Sequence, residues 1–226
     1  MTTGQTKAER VYDQLRADIL AGRFPPGHRL RYTELCEQYQ TSMGVLREGM
    51  LRLSEQGLVK GEPQQGFQIV SLSVEDLIEL TDARREVESL TLRCALSDGD
   101  LEWESRLIAA HHRLSRTPQL DDEDVERLSD QWVAAHAEFH HTLLDGCANQ
   151  RLKDIAGSLR DAAELYRQRS VPLGQAGERD IAGEHEELLA AVLARDADTA
   201  LLHLGRHIAR TTCVLLSSLT GEPALS

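Results

Sequence analysis

A chain of 226 residues with 41% hydrophobic and 27% charged side chains has the make-up of an ordinary globular protein, with enough apolar material for one large domain or two modest ones. The net charge of −12 argues against nucleic acid only until it is divided: of 25 Lys/Arg and 37 Asp/Glu, residues 1–70 hold 9 and 8, leaving 16 and 29 to the rest, so only the first part is suited to approach a phosphate backbone. No stretch approaches the roughly 18 consecutive apolar residues of a membrane helix, and MTTGQTKAERVYDQL lacks the apolar core of a signal peptide, so no membrane partner and a cytoplasmic location are expected.

In chain order, Val11, Leu15, Ile19 and Leu20 recur at helical spacing from Lys7 to Ala21, and Gly22 ends that helix before a loop, FPPGHRL, whose prolines and Gly27 exclude helix. A short helix from about Tyr32 to Tyr39, a three-residue turn, and a helix from about Met43 to Gln56 follow. Ser42 is placed to cap the last of these and Gly57 to stop it. LVKGE and GFQIV flank PQQ and read as a two-stranded hairpin. Three helices and a terminal hairpin are the plan of a winged helix-turn-helix over residues 1–71. In that plan the third helix reads bases with its N-terminal residues, here Ser42, Met43, Gly44 and Arg47, while its free amides favour phosphate. Gln64 and Gln65 at the wing tip are placed to reach a minor groove, with Gly66 permitting the turn. The pattern alone leaves open a helical interaction module with a solvated hairpin.

Residues 11–30 (VYDQLRADILAGRFPPGHRL), 42–59 (SMGVLREGMLRLSEQGLV) and 63–70 (PQQGFQIV) together resemble the N-terminal domain of GntR-type transcriptional regulators. The resemblance implies a double-stranded DNA operator as partner. The family usually shows Ser-Arg-Thr-Pro-Val-Arg-Glu-Ala where this chain has Ser42, Met43, Gly44, Val45, Leu46, Arg47, Glu48 and Gly49. Met43 thus replaces a DNA-contacting arginine, Arg47 is retained for backbone anchoring, and Arg29 and Arg31 are candidates to supply the missing phosphate contacts.

From SLSVEDLIELTDARREVESLTLRCAL, where Ser73 and Asp76 resemble a capping box, apolar residues keep helical spacing to about Leu219. Breaks at Ser97–Asp100, Thr117–Asp122, Gly146–Asn149, Val171–Gly177 and Arg195–Ala197 give six helices and no strand. The expectation for residues 72–226 is therefore an all-α antiparallel bundle of six or seven helices, a plan that can enclose a small-molecule cavity. Three of its helices aim imidazoles at the core. His136 and His140 lie one turn apart within the face of Val125, Leu128, Trp132, Phe139 and Leu143; His185 sits between Ile181 and Leu188, and His207 between Leu204 and Thr211. A lone core histidine is usually just hydrogen-bonded to a neighbour. Several together repel if charged and lose hydration, and a divalent cation that takes their neutral nitrogens as ligands relieves both. The residues alone leave the two readings open for His140, His185 and His207. His111, His112, His141 and His203 read as partly exposed, with His203, one turn from His207, a weak further candidate.

DARREVE, WVAAHAEFHHTLL, Asn149 and EHEELLAAVLARDADTALLHLGRHI resemble the FCD effector-binding domain that follows the GntR module in the FadR subfamily. In that domain an aspartate and three histidines hold a metal at the floor of the ligand cavity. The resemblance places His140, His185 and His207 on the three histidines and His136 on the aspartate. An all-nitrogen set is suited less to manganese and more to zinc, with nickel or cobalt as alternatives, and leaves the site one negative charge poorer. Whether His136 ligates, or turns away and leaves three ligands plus water or effector, stays open. The family's effectors are mostly small carboxylic acids. Arg84, in R-x-x-x-E with Glu88, matches a family arginine that can pair with a carboxylate in bidentate fashion, although the same spacing also describes an i, i+4 surface ion pair. Arg167, in ELYRQRS, is a second effector candidate. GDLEWESRLIAAHHRLS, LLDGCANQRL and the histidine at 136 further resemble the carbon-starvation-induced regulators that respond to glutarate-type dicarboxylates.

Catalytic templates do not fit. Ala137 stands where a zinc-protease helix needs glutamate, and the deaminase-like His136-Ala137-Glu138 lacks its P-C-x-x-C partner. Cys36, Cys94, Cys147 and Cys213 are far apart, with no C-x-x-C pair, and read as reduced thiols. The expected function is a non-enzymatic, metabolite-responsive repressor, homodimeric because a two-fold operator needs two reading heads. The competing expectation is a metal-dependent bundle enzyme or a ligand-binding module without a DNA role.

Overall fold

In a computed structural model the chain is described over residues 6–62, 66–121, 128–169 and 179–220. Its contacts divide it into two compact units, Met1–Ser73 with Asp161–Arg169, and Val74–Arg160 with Ser170–Ser226. No described helix is long and apolar enough to cross a membrane.

The first unit contains α1 (Lys7–Leu20), β1 (Arg29–Leu30), α2 (Tyr32–Gln38), α3 (Met43–Glu55), β2 (Val59–Glu62) and β3 (Gly66–Ile69). Thr6 and Glu9 form a reciprocal capping box on α1, with Thr6 N–H donating to Glu9 Oε2 at 2.7 Å and Glu9 N–H to Thr6 Oγ1 at 3.2 Å. Val11, Leu15 and Ile19 then stack along one face and pack with Leu46, Met50 and Leu53 of α3. Each fully buried leucine there contributes about 1.5–3 kcal/mol of hydrophobic stabilisation. The turn between α2 and α3 places Gln40 at φ 47°, and Gly57 at φ 73° releases the chain from α3. The hairpin β2–β3 matches the expected wing, but the sheet has three strands in the order β1-β3-β2. The loop FPPGHRL therefore ends in a strand, with Arg29 opposite Gln68 and Leu30 opposite Phe67. Two residues are too few to show a period of two; their pairing is set by β3. Leu165 joins this core, and the Tyr166 hydroxyl donates to Ser73 O at 3.2 Å, so residues the sequence pattern gave to the bundle pack with the first unit.

The second unit is built on α4 (Val74–Asp98), α5 (Leu101–Arg116), α6 (Asp130–Asp145), the first part of α7 (Gln150–Arg169), α8 (Ile181–Leu193) and α9 (Ala197–Thr220). Among the described residues these are its six helices, and its extended pairing is the bridge between Leu120 and Leu128. The expected break at Val171–Gly177 lies outside the described residues. α4 packs on α9, α5 on α6 and α8 on α9. Trp103 fills the centre at 1% exposure, its indole N–H donating to Thr142 O at 2.7 Å. Gly99 and Gly146 lie against that ring where a Cβ would overlap it. Phe139, Leu143, Leu188 and Leu204 continue the core toward the histidines.

Candidate functional site

In the first unit, Ser42 Oγ accepts Val45 N–H at 3.5 Å and starts α3, whose first turn carries no acidic residue. The positive end of the helix is thus unopposed within its own first turn. Ser42, Met43, Gly44 and Arg47 are all exposed, Met43 at 59%, and a Cβ built on Gly44 meets nothing within 4 Å. Arg29 and Arg31 are exposed as well, with Arg31 Nη1 3.1 Å from Glu34 Oε1. Gly66, at φ 85°, begins β3 as a left-handed position that favours glycine, whereas Gln64 and Gln65 lie outside the described residues.

In the second unit the four histidines converge. Ser129 caps α6 by accepting Trp132 N–H at 3.0 Å, and the helical period then sets His136 and His140 on the face shared by Trp132 and Phe139. Asp180 caps α8 by accepting Gly183 N–H at 2.8 Å, which presents His185 inward, and α9 presents His207. All four are buried, and one ligand atom from each lies within 4.8 Å of all the others. His140 Nε2 and His185 Nε2 are 3.2 Å apart. His136 does not turn away: Trp132 stacks on it at 4.8 Å and 19°, and its ring centre is 4.6 Å from that of His140. His203 instead faces Glu187, Nδ1 to Oε2 at 3.3 Å.

The environment favours the neutral form of His140, His185 and His207. Burial, aided by the nearby charge of Arg160, holds His140 well below the usual imidazole range. Burial, with His207 beside it, pushes His185 down to about 2. Burial also lowers His207, outweighing the opposing hydrogen bond to Glu184. Neutral imidazoles are the form in which histidine ligates a metal. For a tetrahedral ion about 2.05 Å from each nitrogen, neighbouring nitrogens sit roughly 3.3 Å apart. The 3.2 Å pair of His140 and His185 already has that spacing. The widest pair, 4.8 Å, exceeds the roughly 4.2 Å between opposite ligands of a six-coordinate site, so the set would have to close inward to hold an ion. The donor types, burial and spacing fit a divalent cation.

Charged side chains surround the cluster. Arg84 Nε donates to Glu88 Oε1 at 2.7 Å and Arg160 Nη1 to Glu88 Oε2 at 3.0 Å. The i, i+4 pair of Arg84 and Glu88 is therefore not a surface pair: the side chains are 10% and 1% exposed, because α4 turns this face inward. Burial opposes ionisation of Glu88, but the two guanidinium groups outweigh it and hold its carboxyl below the usual range. On the other side Glu184 accepts from Arg179, Arg210 and His207. Burial likewise opposes its ionisation and is outweighed by those partners. Arg167 is placed in the first unit with its guanidinium closed onto Glu164, rather than with the histidines.

Two family models match the chain: one described as bacterial regulatory proteins, gntR family, over residues 7–69, and the FCD domain over residues 79–210. The chain belongs to the GntR family of bacterial regulatory proteins, with an FCD domain. It is 32% identical to the HTH-type transcriptional regulator BphR of Paraburkholderia xenovorans over 92% of this chain and 84% of that one. It is 31% identical to the HTH-type transcriptional repressor GlaR of Escherichia coli K12 over 93% and 96%. Among solved structures, Escherichia coli McbR/YncC superposes with a TM-score of 0.78 at 19% identity, covering 94% of this chain and 98% of that one, which shows a shared fold. As a GntR-family protein the chain is a helix-turn-helix transcriptional regulator that acts on DNA and is not an enzyme. Among the described residues, this GntR-family site contains four side chains that sequence reading does not single out: Arg160, Arg179, Glu184 and Arg210. The only local signal for any of them is the adjacency of Glu184 to His185.

Proposed function

We propose that this GntR-family regulator is a homodimeric repressor controlled by a small carboxylic acid, with a divalent metal, zinc by preference, held by His136, His140, His185 and His207. The observation that carries the reading is the convergence of four buried imidazoles within 4.8 Å. Imidazole-only sets favour zinc, nickel or cobalt over manganese. When bound, the metal would supply a Lewis-acidic charge that attracts an anionic ligand.

The chain's own residues favour the same ligand class. Within the network around the cluster, Arg84, Arg160, Arg179 and Arg210 stand against Glu88 and Glu184, leaving two positive charges before any ion is added. Arg84 influences His207 and Arg160 influences His140, which puts both guanidinium groups within electrostatic reach of the cluster. Arg84 is the side chain assigned to the effector carboxylate, and a glutarate-type dicarboxylate suits a site with more than one guanidinium group. The repressor reading follows the name of the GlaR relative. Operator contact is assigned to Ser42, Met43, Gly44 and Arg47, with Arg29, Arg31 and the wing at Gln64, Gln65 and Gly66 on the flanking backbone. Effector control requires a differential affinity between two states of only about 1–3 kcal/mol.

The test is elemental analysis of purified protein, then thermal melts with mono- and dicarboxylates, then gel shift on the DNA upstream of its own gene across a salt series. Stoichiometric zinc, a raised melting temperature with some acids, and salt-dependent retardation altered by the same acids are expected. A ligand at 100 times its Kd adds about 2.7 kcal/mol to native stability, so a silent panel on metal-loaded protein would refute acid sensing.

A further inference from the structure

We infer that Glu184 is a positioning residue for the proposed metal centre: it fixes His207 in the tautomer whose proton is on Nδ1, so that Nε2 is the nitrogen left to ligate. The inference rests on the four-histidine reading and adds a residue from outside the ligand set.

The geometry is specific. His207 Nδ1 is 2.9 Å from Glu184 Oε2, and both side chains are under 10% exposed. An ionised carboxylate only accepts, so the proton of that bond sits on Nδ1. Glu184 in turn is anchored on both oxygens: Arg179 Nε reaches Oε1 at 2.8 Å, Arg179 Nη2 reaches Oε2 at 2.5 Å, and Arg210 Nη1 reaches Oε1 at 3.0 Å. Arg179 is tied to α9 by His207 O at 3.2 Å and Thr211 Oγ1 at 3.1 Å. The carboxylate is therefore held for orientation and not for ligation. One contact opposes this assignment, since Arg179 Nη2 also lies 3.4 Å from His207 Nδ1 and would need an acceptor there. That donor already has two nearer acceptors, Glu184 Oε2 and His207 O, and the 2.9 Å contact decides the tautomer. His140 offers the contrast, its Nδ1 buried with no hydrogen-bond partner among the described residues.

A carboxylate on the far nitrogen fixes the ring's orientation and raises its basicity, and loss of such a partner typically weakens metal binding by about 10–100-fold. Because Glu184 precedes His185 directly, one turn of α8 both ligates and orients the ligand from α9.

The experiment has two arms. In metal-free protein labelled with 15N-histidine, long-range proton–nitrogen spectra, assigned with His207→Gln, should show His207 protonated on Nδ1; protonation on Nε2 would overturn the inference. Zinc affinity is then measured by competition with a chromophoric chelator. Glu184→Ala should weaken it about 10–100-fold and Glu184→Gln less, because the amide oxygen still accepts from Nδ1. An affinity within twofold of wild type for folded Glu184→Ala overturns the inference while leaving the four-histidine reading intact. A wild-type chain that takes up no zinc overturns that reading as well. Should Glu184→Ala fail to fold, the wild-type spectrum and Glu184→Gln decide.

Discussion

Replacing Glu88 with alanine isolates what the buried charges of the second unit do. Glu88 is 1% exposed as a side chain and its oxygens are divided between Arg84 and Arg160, themselves 10% and 9% exposed. Without the carboxylate, the two largely buried guanidinium groups lose the acceptor they share. Breaking a buried ion pair by removing one partner costs about 3–5 kcal/mol, most of it from the charge left behind. For a chain of this length each kcal/mol lowers the melting temperature by about 2–4 °C, so the transition of the second unit should fall by roughly 6–20 °C. Calorimetry on metal-free protein at pH 7 reads this directly. A triple variant, Arg84→Met with Glu88→Leu and Arg160→Met, removes every charge of the group and should recover most of the loss, since apolar replacements of buried ion pairs are often neutral or better. A shift below about 1 kcal/mol for Glu88→Ala, or a triple variant as unstable as the single one, would refute uncompensated buried charge as the cause.

Metal-free protein should lose stability in acid starting near pH 6.5. The folded-state values of His140, His185 and His207 lie below that of free imidazole, so below pH 6.5 the unfolded chain binds protons that the folded chain refuses. Each such histidine adds a slope of up to about 1.4 kcal/mol per pH unit, running for His185 down toward pH 2, and the depressed carboxyl of Glu88 adds its own loss only below about pH 4.5. Urea denaturation at pH 7.5, 6.5 and 5.5 checks this, and a flat profile contradicts the burial argument. Arg47→Ala should weaken binding to every duplex tested and reduce the slope of log affinity against log salt by about 1, whereas an effect confined to one base position would make Arg47 a base reader. Gly146→Ala should destabilise the second unit by about 1–3 kcal/mol, because the new Cβ would lie 2.7 Å from Trp103 Cε2 in a core with no room to yield. A melt with tryptophan fluorescence measures it, and an unchanged midpoint would show that the ring can move.

The helices of both units are legible in the sequence wherever one face is apolar and a capping residue marks the start. Ser42, for instance, accepts the amide three residues on, whereas the expected helix through Leu128 overruns the start that Ser129 sets for α6. The histidine cluster is legible for the same reason, since imidazoles at 136, 140, 185 and 207 interrupt otherwise apolar stripes. What surrounds it is not. Arg84 and Glu88 have the spacing of a solvated pair, and only the packing of α4 on α9 buries them. Arg160 sits in a helix of low mean hydropathy, where an arginine carries no signal, and Arg179 and Glu184 read as one more pair of surface charges. β1 and the residues 161–169 of α7 fail differently: their partners are distant in sequence, and the local pattern gives no sign of which neighbour they will meet.

The missed arginines share a cause, and it bears on the charge that the proposed ligand would meet. Residues 71–226 carry 29 acidic against 16 basic side chains, so the sequence of the second unit reads as one that repels anions. The fold reverses that sign locally by turning Arg84, Arg160 and Arg179 inward, each to a carboxylate that it outnumbers or shares. Placing histidine at 136, where the FCD resemblance expects an aspartate, removes a further negative charge at the centre, and Trp132 stacked on that ring fills the space beside it with an apolar surface. Under the proposed reading, an anion reaching this site would leave a repulsive exterior for an interior with an excess of fixed guanidinium charge. On the proposed acid-sensing reading, that contrast would favour anions whose charge is met by those guanidinium groups.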